Sequence, residues 1–276
     1  MEQIHNFKYV SKKEVRLREV YKDAVDLIRE TQDMVRDEFS FQYHAVGSYS
    51  RNMVTHDPSS NVGFDLDFDL VVNDPEDWFT AKEIKNILQQ AMKQIARKHG
   101  YDFPEDSTRV LTLKCKDRKH AKILHSIDFA ITKKYMDDEG CVERKLIRYD
   151  KKANRYNWCE LPSGEYDLQA RIDWLKSEQL WGELRKRYLD KKKNNTNSAL
   201  HSRQLFSMTV NELLQSAGYF SEAESIQSDT LSSGKLSYGT AATLYREFGF
   251  PVIGRLRSAS EIARDNMLKT FPMDMR

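Results

Sequence analysis

A chain of 276 residues, 39% of them apolar and 11% aromatic, is long enough to bury a core and too apolar to be disordered. Its 44 basic and 42 acidic residues almost cancel, leaving +2, so no global positive field marks it as a nucleic-acid binder. No apolar run reaches the length of a bilayer span, and Met1-Glu2-Gln3-Ile4-His5 lacks the basic-then-apolar pattern of a secretory leader. Cys115, Cys141 and Cys159 are odd in number and widely spaced, which predicts reduced thiols in a cytoplasmic protein and offers no zinc-type Cys-x-x-Cys pair.

In chain order, residues 11–38 predict a long amphipathic helix, with Val15, Leu17, Val20, Ala24, Leu27, Ile28 and Met34 at roughly helical spacing. Phe41 to Ala45 predicts a short strand, and Val46-Gly47-Ser48-Tyr49-Ser50-Arg51 a turn into a helix. Such a turn presents backbone N–H groups and a hydroxyl suited to phosphate oxygens, although for Gly-Ser alone a plain turn or helix cap is the better explanation. The polar segment from Thr55 to Gly63 predicts an exposed loop.

Next comes Phe64-Asp65-Leu66-Asp67-Phe68-Asp69-Leu70-Val71-Val72. Alternate residues of a strand share a face, so the three aspartates line one side and the apolar residues the other. Carboxylates so close repel, and divalent cations, which take hard oxygen ligands, relieve that repulsion. An acidic but merely solvated strand face is the plainer reading of this segment alone.

A second helix is expected over about 80–98, with Ile84, Ile87, Leu88, Met92 and Ile95 inward and Gly100 as its terminator. Strands follow at about 108–116 and 119–132, the second carrying Asp128 between Ile127 and Phe129. A charge in so apolar a strand needs a partner or a metal. His125 lies three residues from Asp128 and hence on the opposite face. Met136 to Gly140 reads as a polar turn, strands are expected near 144–149 and 156–161, and Pro162-Ser163-Gly164 marks the best break. Beyond it, helices are predicted over about 166–192, 199–217, 220–227, 238–248 and 257–270, with an Asn/Ser linker at 194–198 that caps the second of them. Arg171, Trp174, Trp181 and Tyr188 fall on one helical seam. Basic clusters around 114–122, 133–134, 151–152, 185–187 and 191–193 read as solvated faces, or as a rim that neutralises phosphates.

Gly47-Ser48, then Asp67-Phe68-Asp69 followed by Leu70-Val71-Val72, then Asp128 in a later apolar strand, form an ordered set. In that order the chain resembles the nucleotidyltransferases of the DNA polymerase β type, and within them the oligoadenylate synthetase and cyclic GMP-AMP synthase-like (CD-NTase) enzymes. The resemblance covers roughly residues 40–132. It departs where relatives continue Gly-Ser with an Arg-Gly-Thr-like sequence, here Arg51-Asn52-Met53, and in the long gap from Ser48 to Asp67.

The resemblance implies an α+β fold: a nucleotidyltransferase-type mixed sheet flanked by helices over 1–164, then a helical C-terminal lobe over 165–276. It implies two Mg²⁺ ions, or Mn²⁺, held by Asp67, Asp69 and Asp128, with Gly47, Ser48 and Arg51 on the phosphates of a nucleoside triphosphate. Asp65 is left as a supporting or solvent-facing residue. The nucleotide base would stack between the lobes, with Tyr188, Tyr238 and Tyr245 as candidates or, more simply, as packing residues. The implied reaction transfers a nucleotide to a hydroxyl, above all that of a second nucleotide, making a cyclic or linear second messenger of the kind used in antiviral defence. An RNA, protein or small-molecule acceptor is the alternative, and a non-catalytic binding module on the same fold is the third reading.

Overall fold

The computed structural model describes residues 5–74, 76–136, 142–161 and 164–219, with backbone alone at 164–167. Its centre is a mixed sheet in the order β2 (Ser40–Val46), β4 (Val62–Asn73), β7 (Lys122–Met136), β6 (Val110–Asp117), β5 (Glu105–Asp106). Further along, β7 also pairs with β8 (Val142–Asp150), which pairs with β9 (Arg155–Glu160). Within this sheet β4 and β7 run parallel and the other described pairs antiparallel. A separate two-stranded ribbon joins β1 (Lys8–Tyr9) to β3 (Thr55–His56).

Period-two alternation divides this sheet into two faces. Phe64, Leu66, Phe68 and Leu70 of β4 are no more than 1% exposed, and Ile127, Phe129, Leu111 and Leu113 join them in the core. Each such side chain contributes roughly 1.5–3 kcal/mol on burial. Helices α1 (Val15–Val35) and α3 (Ala81–Ile95) belong to the same cluster through Leu17, Ala24, Leu27, Ile28, Ile84, Leu88 and Met92. Val15 and Met34, expected inward, are exposed, and Val35 is buried instead. Val35 is eighteen residues after Leu17, five turns at 3.6 residues each, so it returns to the same stripe while Met34 lags by about 100°.

Thr80 opens α3 with a reciprocal cap: its N–H donates to Glu83 Oε2 (2.8 Å) and its Oγ1 accepts from the Glu83 N–H (3.3 Å). Gly100 follows the helix at φ +77°, in the left-handed region where glycine carries no steric penalty. A charged group lies deep in this layer. Lys85 is 1% exposed, and its Nζ meets Asp106 Oδ1 (2.7 Å) and the Ser107 carbonyl (2.9 Å).

Helices α4 (Gly164–Ser177), α5 (Trp181–Asn194) and α6 (Ser202–Ser216) follow the sheet. The expected single helix over 166–192 is broken at Gln179, whose φ is +59°. Trp181 therefore opens a new helix rather than continuing a seam with Arg171 and Trp174. The cap of α6 also differs from expectation: the His201 N–H donates to Gln204 Oε1 at 2.9 Å, after the linker rather than within it. Residues Met1–Tyr219 form one unit, within which these three helices lie. The helices expected beyond 219, Tyr238 and Tyr245, Cys141, and the turn at 137–140 lie outside the described residues.

The segment expected as a free loop is partly built into the fold. Thr55 and His56 form β3, and Asp57 is 2% exposed, accepting from the Ser59 N–H (2.9 Å), Ser59 Oγ (2.6 Å) and the Asn6 N–H (3.3 Å). Pro58 and Ser59 are exposed at the tip.

Candidate active site

The face of this sheet opposite the α1 and α3 cluster carries the chemistry. Parallel register places Asp67 beside Asp128 and Asp65 beside Ser126, and antiparallel register places Thr112 on the other side of Asp128. Hydroxyl groups hold the outer two carboxylates: Ser126 Oγ donates to Asp65 Oδ1, and Thr112 Oγ1 donates to Asp128 Oδ1 at 2.5 Å. The Ser48 backbone N–H donates to Asp67.

Gly47 is required at this point by two independent constraints. Its φ of +61° belongs to the left-handed region, and a Cβ there would stand 2.2 Å from Asp67 Oδ2. The turn after β2 thus closes directly on the carboxylate. Helix α2 (Gly47–Ser50) is a single turn, and its Ser48 N–H is engaged by Asp67 rather than left for another anion.

The electrostatics follow from this crowding. Burial and then the charges of Asp128 and Asp65 push Asp67 up to about 6, against the Ser48 hydrogen bond and the Arg51 charge. Burial also raises Asp128, with Asp65 adding to it and the Thr112 hydrogen bond opposing it. Asp65 and Asp128 raise the cost of ionising Asp67, and Asp65 that of ionising Asp128, which leaves a site in want of positive charge.

Asp69 stands apart from them. It is 4% exposed, its Oδ1 accepts from Thr132 Oγ1 (2.6 Å), and its Oδ2 is ion-paired with Arg144 of β8. The aspartates brought together are therefore Asp65, Asp67 and Asp128. From sequence, Asp65 is expected to support a ligand or to face solvent, and it is exposed on β4, whereas Asp69, expected among the metal ligands, is held by Thr132 and Arg144. Strand periodicity puts all three on one face, and only the distant β8 decides which of them is neutralised.

Two basic groups act on these carboxylates. Arg51 caps α2, and its guanidinium lies 4.9 Å from the Phe206 ring of α6. Lys192 of α5 donates to Thr55 Oγ1 (2.7 Å) and sits 4.3 Å from the Phe7 ring. Burial pushes this lysine down to about 8, and the Asp65 charge opposes that shift. In sequence Lys192 is indistinguishable from its neighbours Lys191 and Lys193, yet Lys191 pairs outward with Glu212 at 2.7 Å. Tyr188 is 5% exposed and packs edge-on against Phe206 at 5.7 Å, the packing role rather than the stacking one. His125 lies on the α1-facing side, 3.1 Å from the Tyr101 hydroxyl, and burial lowers it to about 4.

The donor set suits hard divalent cations: three clustered carboxylates, two with exchangeable hydroxyl partners and one held by a backbone N–H. It is not assembled around an ion as it stands, since among the described residues no group of three His, Cys, Asp or Glu side chains is arranged to hold one.

No protein-family model and no curated protein matches the chain. Among solved structures it is similar to the Vibrio cholerae DncV cyclic AMP-GMP synthase, at 20% identity and a TM-score of 0.46, over 71% of this chain and 50% of that one. It is also similar to the Elizabethkingia meningoseptica CdnE cyclic dinucleotide synthase, at 12% identity and 0.44, over 73% of this chain and 70% of that one. A third, the Bradyrhizobium diazoefficiens CD-NTase CdnG in complex with GTP, gives 14% identity and 0.38, over 55% and 39%. The chain thus spans about half or less of the length of two of these three. No helix among the described residues is long and apolar enough to cross a membrane.

Proposed function

We propose that this protein is a metal-dependent nucleotidyltransferase that moves a nucleoside monophosphate from a nucleoside triphosphate to the hydroxyl of a second nucleotide. The observation that carries the reading is the in-register pair Asp67 and Asp128, joined by Asp65 and closed by Gly47, whose Cβ would collide with Asp67. The sequence motifs that resemble polymerase β-type enzymes meet at that point. In this reading residues 1–164 form the catalytic lobe and 165–276 the helical one.

Asp65, Asp67 and Asp128 would hold the two Mg²⁺ ions, which when bound align the attacking and leaving oxygens and neutralise the charge between them. The chain's own groups do the rest. Asp128, with its raised proton affinity and its Thr112 partner, is suited to receive the proton of the acceptor hydroxyl. Lys192, which senses the charge of Asp65, and Arg51, which acts on Asp67, supply positive charge for the phosphates of the nucleotide. Gly47 and Ser48 form the wall against which the phosphates lie.

The test is incubation of the protein with each α-³²P-labelled nucleoside triphosphate and Mg²⁺ or Mn²⁺, with and without RNA. A labelled cyclic or linear oligonucleotide made without added acceptor supports the reading. Label found only on RNA moves the acceptor to the alternative, and an absence of product with every triphosphate and acceptor class contradicts enzymatic transfer.

A further inference from the structure

The ion pair between Asp69 and Arg144 joins strands that are not neighbours. Arg144 lies opposite Lys134 of β7, and from β8 it reaches past β7 to Asp69 on β4. Its Nη2 also donates to Thr132 Oγ1 at 3.2 Å, the same hydroxyl that donates to Asp69 Oδ1. Both Asp69 oxygens are engaged, and the residue is 4% exposed. Arg144 Nε, in contrast, is buried with no hydrogen-bond partner among the described residues. Leaving a buried donor unsatisfied is costly, so the guanidinium is held where Asp69 needs it rather than where its own donors are best served.

Asp69 follows Asp67 by two residues on the same face, within about 7 Å. Without Arg144 it would be a fourth carboxylate beside Asp65, Asp67 and Asp128, buried and unpaired. The Thr132 hydroxyl would still donate to it and His44 stands opposite it on β2, but neither matches the countercharge that a divalent cation brings.

We infer that Arg144 is a positioning residue that selects the metal-binding carboxylates: by neutralising Asp69 it withholds that side chain from divalent cations and leaves them to Asp65, Asp67 and Asp128. The inference rests on the proposed cation-dependent transfer and specifies the ligands of that site.

The test is a Mn²⁺ titration of the full chain without nucleotide, read by loss of the free-ion electron paramagnetic resonance signal. Asp67→Asn is expected to weaken Mn²⁺ binding about tenfold or more, while Asp69→Asn stays within about threefold of the parent protein. Arg144→Met is expected to tighten binding by several-fold as Asp69 becomes available, a gain absent from the Arg144→Met/Asp69→Asn double variant. A merely structural arginine predicts no gain in affinity. Loss of binding in Asp69→Asn as severe as in Asp67→Asn overturns the inference, as does unchanged affinity in a folded Arg144→Met protein. If that variant does not fold, the near-isosteric Asp69→Asn decides alone, since Arg144 is 31% exposed and can turn to solvent. A parent protein that takes up no Mn²⁺ at millimolar concentration instead removes the transfer reading itself, and the inference with it.

Discussion

Gly47 and Asp67 set the terms at the scale of single residues. A side chain at 47 must displace the carboxylate it faces, so Gly47→Ala is expected to abolish nucleotide incorporation and to lower the melting temperature by several degrees. Incorporation at parental rate would show that the turn does not depend on this contact. Asp67 yields a pH signature. Its folded pKa of about 6 lies above the ordinary 3.8, so between these values the folded state binds more protons than the unfolded one. Its contribution to stability therefore falls as pH rises from about 4 to 6 and stays unfavourable above that window. With divalent ions chelated, Asp67→Asn is expected to stabilise the protein by roughly 1–3 kcal/mol at pH 7.5 and by almost nothing near pH 3.5. Urea unfolding at the two pH values reads this difference, and equal stability of the two proteins at pH 7.5 contradicts the crowded-carboxylate account. The acidic face itself was legible in sequence, because period two is a local property. The choice between Asp65 and Asp69 was not, because Arg144 is seventy-five residues from Asp69 and no local pattern couples them.

At the scale of elements, the long apolar strands and the amphipathic helices α1 and α3 were readable because each repeats its period over several turns or pleats. The break between α4 and α5 was not. Gln179 adopts a left-handed conformation that its side chain does not announce, and Glu178-Gln179-Leu180 has the composition of an ordinary helix interior. The short β5 leaves no sequence signal for a related reason: two residues make no pattern, and the strand exists because Glu105 and Asp106 pair with β6. Lys85 is the least expected feature of α3, a charge in its inward stripe. Burial lowers its pKa and Asp106 opposes that shift, so the pair is sustained by mutual contact. Lys85→Ala strands Asp106 beside the core and is expected to cost about 3–5 kcal/mol in urea unfolding. A loss below about 1 kcal/mol would mean that Asp106 finds water instead.

At the scale of the described unit, the N-terminal segment laces the sheet side of the site to α5. The Val10 N–H donates to the Val54 carbonyl (2.8 Å), the Tyr9 hydroxyl to the Arg185 carbonyl (2.6 Å) and the His5 N–H to the Lys193 carbonyl (3.3 Å). Phe7 meanwhile lies against Lys192. These contacts hold Lys192 over Thr55 and near Asp65, so removal of residues 1–10 is expected to speed amide hydrogen exchange in β3 and α5 while leaving β4 and β7 protected. Unchanged exchange in α5 would show that the helix holds its place without the segment. None of this lacing was visible in the sequence, where residues 5–10 carry only short-range signals and their partners are tens to hundreds of positions away.

Pyrophosphate release from a mixture of the four nucleoside triphosphates with Mg²⁺, compared between the parent protein and Asp67→Asn, tests the central claim most directly. The account predicts release by the parent and a loss of at least about a hundredfold in the variant, since Asp67 lies between both other carboxylates of the site. Equal release by the two proteins would contradict it.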